Sequence, residues 1–292
     1  MKKKSTALVI CAAVPVAAGG GIGFYRSSLI EKWSDPSTGR LLIGSAGNFR
    51  FFFIAAALCA LLCFALAFSV RRVPLIWGLR PISTRIKTAR VLAAFLLFVA
   101  AVFLLLNAES LSVLILLKSV FLVACGGACI AFIRVQSFSG KGMCALFPLF
   151  FMSIYLLSFY RDSARNPLIY TFAFEILTVI ALLLALYLSC CPWFGKKRPG
   201  LLLFFAMLAT FGAAACAVTG LLSKTFARLY LPAGLADVVL AFALLLWVWT
   251  DIFESAQPLP PQSAPDTSFS LEEQETDAPA EDADGPFEDL SE

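Results

Sequence analysis

The chain has 292 residues, 60% of them hydrophobic and only 14% charged, with a formal net charge of +4. A soluble domain carries about a quarter charged residues, so there is too little polar surface here to cover a water-soluble core, and lipid must be the solvent for most of the chain. The absence of histidine excludes His-ligated metals, His-ligated haem and histidine acid–base chemistry.

A run of about 20 apolar residues crosses about 30 Å of hydrocarbon, and eight runs qualify. The first, 6–25, follows Lys2, Lys3 and Lys4. These lysines and the small residues Val16-Ala17-Ala18 resemble a signal peptide, so the run reads either as a retained helix or as a cleaved leader. Gly19, Gly20, Gly21 and Gly23 weaken it as a helix. The second span is 49–70. The segment 71–88 then brings five further basic residues with Pro74 and Pro81, which prevent a long helix. Leu75, Ile76 and Trp77 in its middle suit a segment lying on the headgroups, and a plain basic connector is the competing reading. Six more spans follow at 89–106, 111–133, 143–160, 167–189, 201–222 and 233–253. Each must be helical, because an open strand leaves backbone groups unpaired in lipid. The expected fold is an all-α polytopic bundle over 1–254.

The rest, 255–292, holds 11 of the 19 acidic residues and no Lys or Arg. Low hydrophobicity with high negative charge supports no core, so a disordered, proline-containing tail is expected. Phe269, Phe287 and Leu290 are isolated apolar points in it, either solvated or short docking motifs for a cytoplasmic protein. The other 254 residues carry 23 basic and 8 acidic residues. A basic body of this kind suits anionic lipid headgroups. Its basic residues are scattered over short loops, which argues against nucleic acid.

The positive-inside rule places Met1-Lys2-Lys3-Lys4, Arg71–Arg90, the loop with Arg134 and Lys141, and Lys196-Lys197-Arg198 in the cytoplasm. Both termini are then cytoplasmic and the protein is a multi-pass cell-membrane protein. Arg26, Lys32, Arg40 and Arg50 fall in an outer loop. Trp193, Trp247 and Trp249 lie near inner span ends, as interfacial aromatics do. The nine cysteines suggest no disulfide framework and read as small packing residues. Cys59/Cys63 and Cys125/Cys129 share helix faces, but without histidine a helix contact outweighs a metal site. Gly126-Gly127 and the series Gly212, Cys216, Gly220 look like close-packing faces. No nucleotide, hydrolase or zinc motif occurs, so no cofactor and no catalytic residue is assigned.

Two charges stand inside spans. Lys118 lies about seven residues into the fourth span and Glu175 about eight residues into the sixth, both counted from the outer end. At about 1.5 Å per residue both sit some 10–12 Å deep. Charges at such depth face the bundle interior or water, and opposite signs at equal depth predict a Lys118–Glu175 pair. The pair is either a structural salt bridge or a binding or proton-coupling site. Above it gather Asn107, Glu109, Tyr155, Tyr160, Arg161, Asp162, Arg165 and Tyr170, with Asp237 able to join from the eighth span. Arg161 and Arg165 suit a carboxylate or phosphate, unless Asp162 and Glu109 neutralise them.

The stretch Tyr160-Arg-Asp-Ser-Ala-Arg-Asn-Pro-Leu-Ile-Tyr-Thr-Phe-Ala-Phe-Glu175, with Asp35-Pro-Ser-Thr-Gly39, resembles uncharacterised multi-pass membrane proteins of clostridial Gram-positive bacteria. The resemblance implies a bacterial plasma membrane and no activity, and points to 161–175 as the segment of interest. The expected function is structural or regulatory, with a tail that binds a cytoplasmic partner. The alternative is a small-solute transporter using the cluster around Lys118 and Glu175. A membrane-embedded enzyme is the least expected.

Overall fold

The computed structural model describes residues 2–33, 35, 46–70, 75–78, 82–106, 112–164, 169–223 and 235–257, and the side chains of these except 2–5, 46, 162–164, 169–172 and 235. Eight long helices account for nearly all of them: α1 (Lys2–Trp33), α2 (Ala46–Val70), α3 (Thr84–Leu106), α4 (Val113–Arg134), α5 (Phe138–Ala164), α6 (Ile169–Cys190), α7 (Pro199–Leu222) and α8 (Leu235–Ser255). All eight are long and apolar enough to cross a membrane. The protein is a multi-pass helical bundle, and no strand occurs among the described residues. The predicted tail lies outside the described residues apart from Ser255, Ala256 and Gln257, which close α8.

The helices exceed the predicted spans mainly at their polar ends, and this changes the place of several charges. Helix α1 runs on to Trp33 and carries Arg26 into the bundle, where it is 1% exposed. Helix α5 begins at Phe138, which turns Lys141 from a loop residue into a buried one. Arg90 is likewise fully buried. The positive-inside reading makes each a loop or headgroup charge, whereas each has a carboxylate partner inside the bundle.

Small residues set the packing. Helix α1 lies along α7, its most extensive neighbour. A Cβ on Gly19 would come 2.3 Å from the Phe211 carbonyl oxygen, and one on Gly23 would come 2.5 Å from that of Ala215. The glycines that weaken α1 as an isolated helix are therefore what lets it dock, in the small-xxx-small manner of membrane helices. Thr219 Oγ1 closes this contact by donating to the Gly23 carbonyl at 3.2 Å. Gly126 admits the Phe98 ring between α3 and α4, and Gly212 admits Thr178 of α6. All nine cysteines are free thiols. Helix α8 is the most enclosed of the eight and packs on α3, α6 and α7.

Trp77 belongs to the segment read either as lying on the headgroups or as a plain basic connector. It is buried, and the neighbouring Ile76 N–H donates to the Ser255 carbonyl at 2.7 Å, which holds 75–78 against the end of α8. Trp193, Trp247 and Trp249 are also buried within the bundle. The first two pack edge-on to Phe132, and Trp249 Nε1 donates to Thr210 Oγ1 at 2.9 Å.

Candidate functional site

The buried charges form two layers, one towards each face of the bundle. At the face where α8 ends, Arg90 on α3 pairs with Asp251 and, at 2.8 Å, with Glu254. Glu254 also takes Lys141 of α5 at 3.2 Å. Two cations and two carboxylates thus balance in a setting where none is more than 4% exposed. Aromatic rings complete the cage: the Arg90 guanidinium lies 4.1 Å and the Lys141 ammonium 5.1 Å from the Phe132 ring centroid. Trp247 adds to Arg90 at 5.7 Å and Trp193 to Lys141 at 5.2 Å. Arg90 Nε and Nη1 and Asp251 Oδ2 have no hydrogen-bond partner here. A small cavity of about 10 Å³ beside Trp77, Asp251 and Glu254 has room for about one water.

The opposite layer contains both intramembrane residues singled out from the sequence, but they do not pair. Glu175 Oε1 meets Arg26 Nη2 at 2.5 Å. Lys118 lies instead against the Tyr155 ring, 5.5 Å from its centroid, in a small cavity that it lines with Tyr155 and Asp237. The expectation fails because hydropathy ends the first span at Tyr25 and leaves Arg26 in a loop, whereas α1 runs on to Trp33 and brings Arg26 to Glu175. Rings of Phe52 and Phe174, 5.8 and 5.4 Å from the guanidinium carbon, flank Arg26. Asp237, foreseen as a further member, accepts a hydrogen bond from Tyr155 Oη at 2.8 Å.

Between these two carboxylates lies a cavity of about 90 Å³, among helices α5, α6, α7 and α8. Its wall is mostly apolar, with Met152, Val179, Leu182 and Leu240 among its members. Glu175, Asp237, Tyr155, Thr178 and Cys216 supply the polar edges, while neither Arg26 nor Lys118 belongs to the wall. Glu175 Oε2 is buried with no hydrogen-bond partner. A concave, mainly apolar pocket with a few converging polar groups is the usual form of a small-molecule site.

Of the remaining sequence candidates, only Tyr160 and Arg161 have described side chains, and neither is part of this wall. Arg161 is exposed near the end of α5. Glu109 and Arg165 lie outside the described residues, as do the side chains of Asp162 and Tyr170. Sequence reasoning missed the Arg90–Asp251–Glu254–Lys141 layer altogether. A signal was present: Asp251 and Glu254 stand three apart at the end of an apolar span with no basic residue within reach on their own helix. Among the described residues no group of three or more Cys, Asp or Glu has the arrangement to hold a metal ion. Comparison with protein-family models, curated proteins and solved structures finds no match.

Proposed function

We propose that this protein is a small-solute transporter of a bacterial plasma membrane, with its solute site in the cavity among α5, α6, α7 and α8. The observation that carries the reading is that cavity itself, about 90 Å³ with Glu175 and Asp237 in its wall. A bundle built only as a scaffold gains nothing from leaving a carboxylate oxygen unpaired beside open space, because an unmet buried acceptor costs stability. The layout of α8 adds support. Asp237 and Asp251 lie about 21 Å apart along it at 1.5 Å per residue, on one stripe, with Leu240, Leu244 and Trp247 buried between them. In this reading the structure is closed towards the Arg90 layer, and transport requires that layer and the apolar stripe to part. The Lys118–Glu175 cluster keeps its part in the reading as two neighbouring sites that share Tyr155 and Asp237.

Cys216 gives a direct test, since it is the thiol in the cavity wall. In sealed vesicles the small cationic reagent 2-aminoethyl methanethiosulfonate should modify Cys216 while sparing Cys125 and Cys129, which are fully buried elsewhere. Peptide mass spectrometry reads the modified site. A Cys216 that reacts no faster than Cys125 would sink the transporter reading.

The basic loops place the face where α8 ends in the cytoplasm, with both chain termini, under the positive-inside rule. Reporter fusions at residues 80 and 197 and at the C-terminus should then report one side, and a fusion at residue 164 the other. Residues 164 and 197 on the same side would refute this topology. In chain order the acidic residues 258–292 follow the helix end that carries Asp251 and Glu254, and a basic cytoplasmic protein is the partner their charge suits. In that second reading the tail regulates the bundle, and deleting 258–292 should change flux or partner capture without unfolding the helices.

A further inference from the structure

We infer that the cavity's ligand is a small protonated amine with a short apolar body, an assignment that rests on the solute-site reading above. Three features of the wall lead to it. The first is the sign of its polar groups. Two carboxylates line the cavity, whereas their basic partners, Arg26 and Lys118, lie outside its wall. A ligand inside therefore meets acceptors first, and Glu175 Oε2, in a residue only 9% exposed, still lacks a donor. An ammonium N–H supplies one through a charge-assisted hydrogen bond, the stronger kind. A ligand carboxylate would meet two like charges and leave that oxygen unpaired.

The second feature is aromatic. The Tyr155 and Phe159 rings stack at 6.0 Å and both belong to the wall. Ring faces attract cations, and Tyr155 already has an ammonium against it, that of Lys118 in the neighbouring cavity. The third is the apolar remainder, Met152, Val179, Leu182, Ala213, Val238 and Leu240. A bare metal ion needs a shell of about six oxygens, which this wall does not offer. An alkylamine of about three to five carbons suits a space that holds several waters and covers the apolar surface as well.

The experiment uses the full-length protein in nanodiscs with n-butylammonium, sodium butyrate and sodium chloride at equal ionic strength. Cys216 alkylation by N-ethylmaleimide and the thermal unfolding midpoint are both followed. Butylammonium should slow the alkylation at least about fivefold at saturation and raise the midpoint, while butyrate and sodium chloride do neither. Glu175→Gln alone strands Arg26, so the paired change Arg26→Met with Glu175→Gln is used. It should fold, as judged by its unfolding transition, and lose the butylammonium protection. Equal protection by butyrate, or protection by sodium chloride alone, overturns the amine assignment. So does a reactive Cys216 that none of the three protects, an outcome that leaves the solute-site reading standing. An unreactive Cys216 counts against the solute site itself, and the midpoint then decides for the amine: no rise with butylammonium overturns it.

Discussion

Replacing Arg90 by methionine should destabilise the bundle by about 3–5 kcal/mol, the cost of breaking a buried ion pair from one side. Arg90 serves Asp251 and Glu254 together, so its loss removes the main partner of one carboxylate and half the support of the other. Asp251→Asn should cost clearly less, because Arg90 keeps Glu254 at 2.8 Å and Glu254 keeps Lys141 at 3.2 Å. Combining Arg90→Met with Asp251→Asn should recover much of the loss, since the Lys141–Glu254 pair then balances what remains. Denaturant unfolding in one detergent, with helicity as the readout, orders the three variants. Asp251→Asn proving as harmful as Arg90→Met would show that the guanidinium does not hold both acids.

The second large effect concerns Arg26 and Glu175. Either single neutral substitution leaves one charge buried without its partner and should again cost about 3–5 kcal/mol. The double Arg26→Met, Glu175→Gln should be more stable than either single. Lys118 supplies the control. Its coupling to Glu175 in a double-mutant cycle should stay within about 0.5 kcal/mol, the additivity limit for residues that do not touch. A strong Lys118–Glu175 coupling together with a weak Arg26–Glu175 coupling would reverse the pairing described above.

The fold was legible because the bilayer imposes a length and forbids unpaired backbone, which leaves eight apolar runs one way to be built. Glu175, Lys118, Tyr155 and Asp237 were legible for a related reason: polar groups deep in apolar runs are conspicuous. Which of them meet was not. Pairing across a bundle depends on how far each helix extends and how it is rotated, and hydropathy fades at span ends where both are decided. Arg26, Arg90 and Lys141 all stand there. A basic residue at a span end has two favourable environments, the headgroups and a buried carboxylate, and hydropathy does not separate them. The acids decide between these. Once Asp251 and Glu254 are seen to need partners, Arg90 and Lys141 at the starts of α3 and α5 are at the matching level. The role of Gly19 and Gly23 was hidden too, because helix propensity treats as a defect what helix contact uses as a surface.

The distance along the chain between charge partners has a consequence for biogenesis. Asp251 follows Arg90 by 161 residues and Glu254 follows it by 164. At a synthesis rate of roughly 5–20 residues per second, Arg90 waits about 10–30 s after its own translation before its counter-charges exist. Helix α3 must therefore be held during that interval with a cation at its end that only the lipid headgroups or the insertion machinery can accommodate. Standing in the first turns of α3, Arg90 is within reach of the phosphates and can snorkel to them. In this account the later arrival of α8 draws Arg90 inward to Asp251 and Glu254, so the eighth helix is the one that locks the third in place.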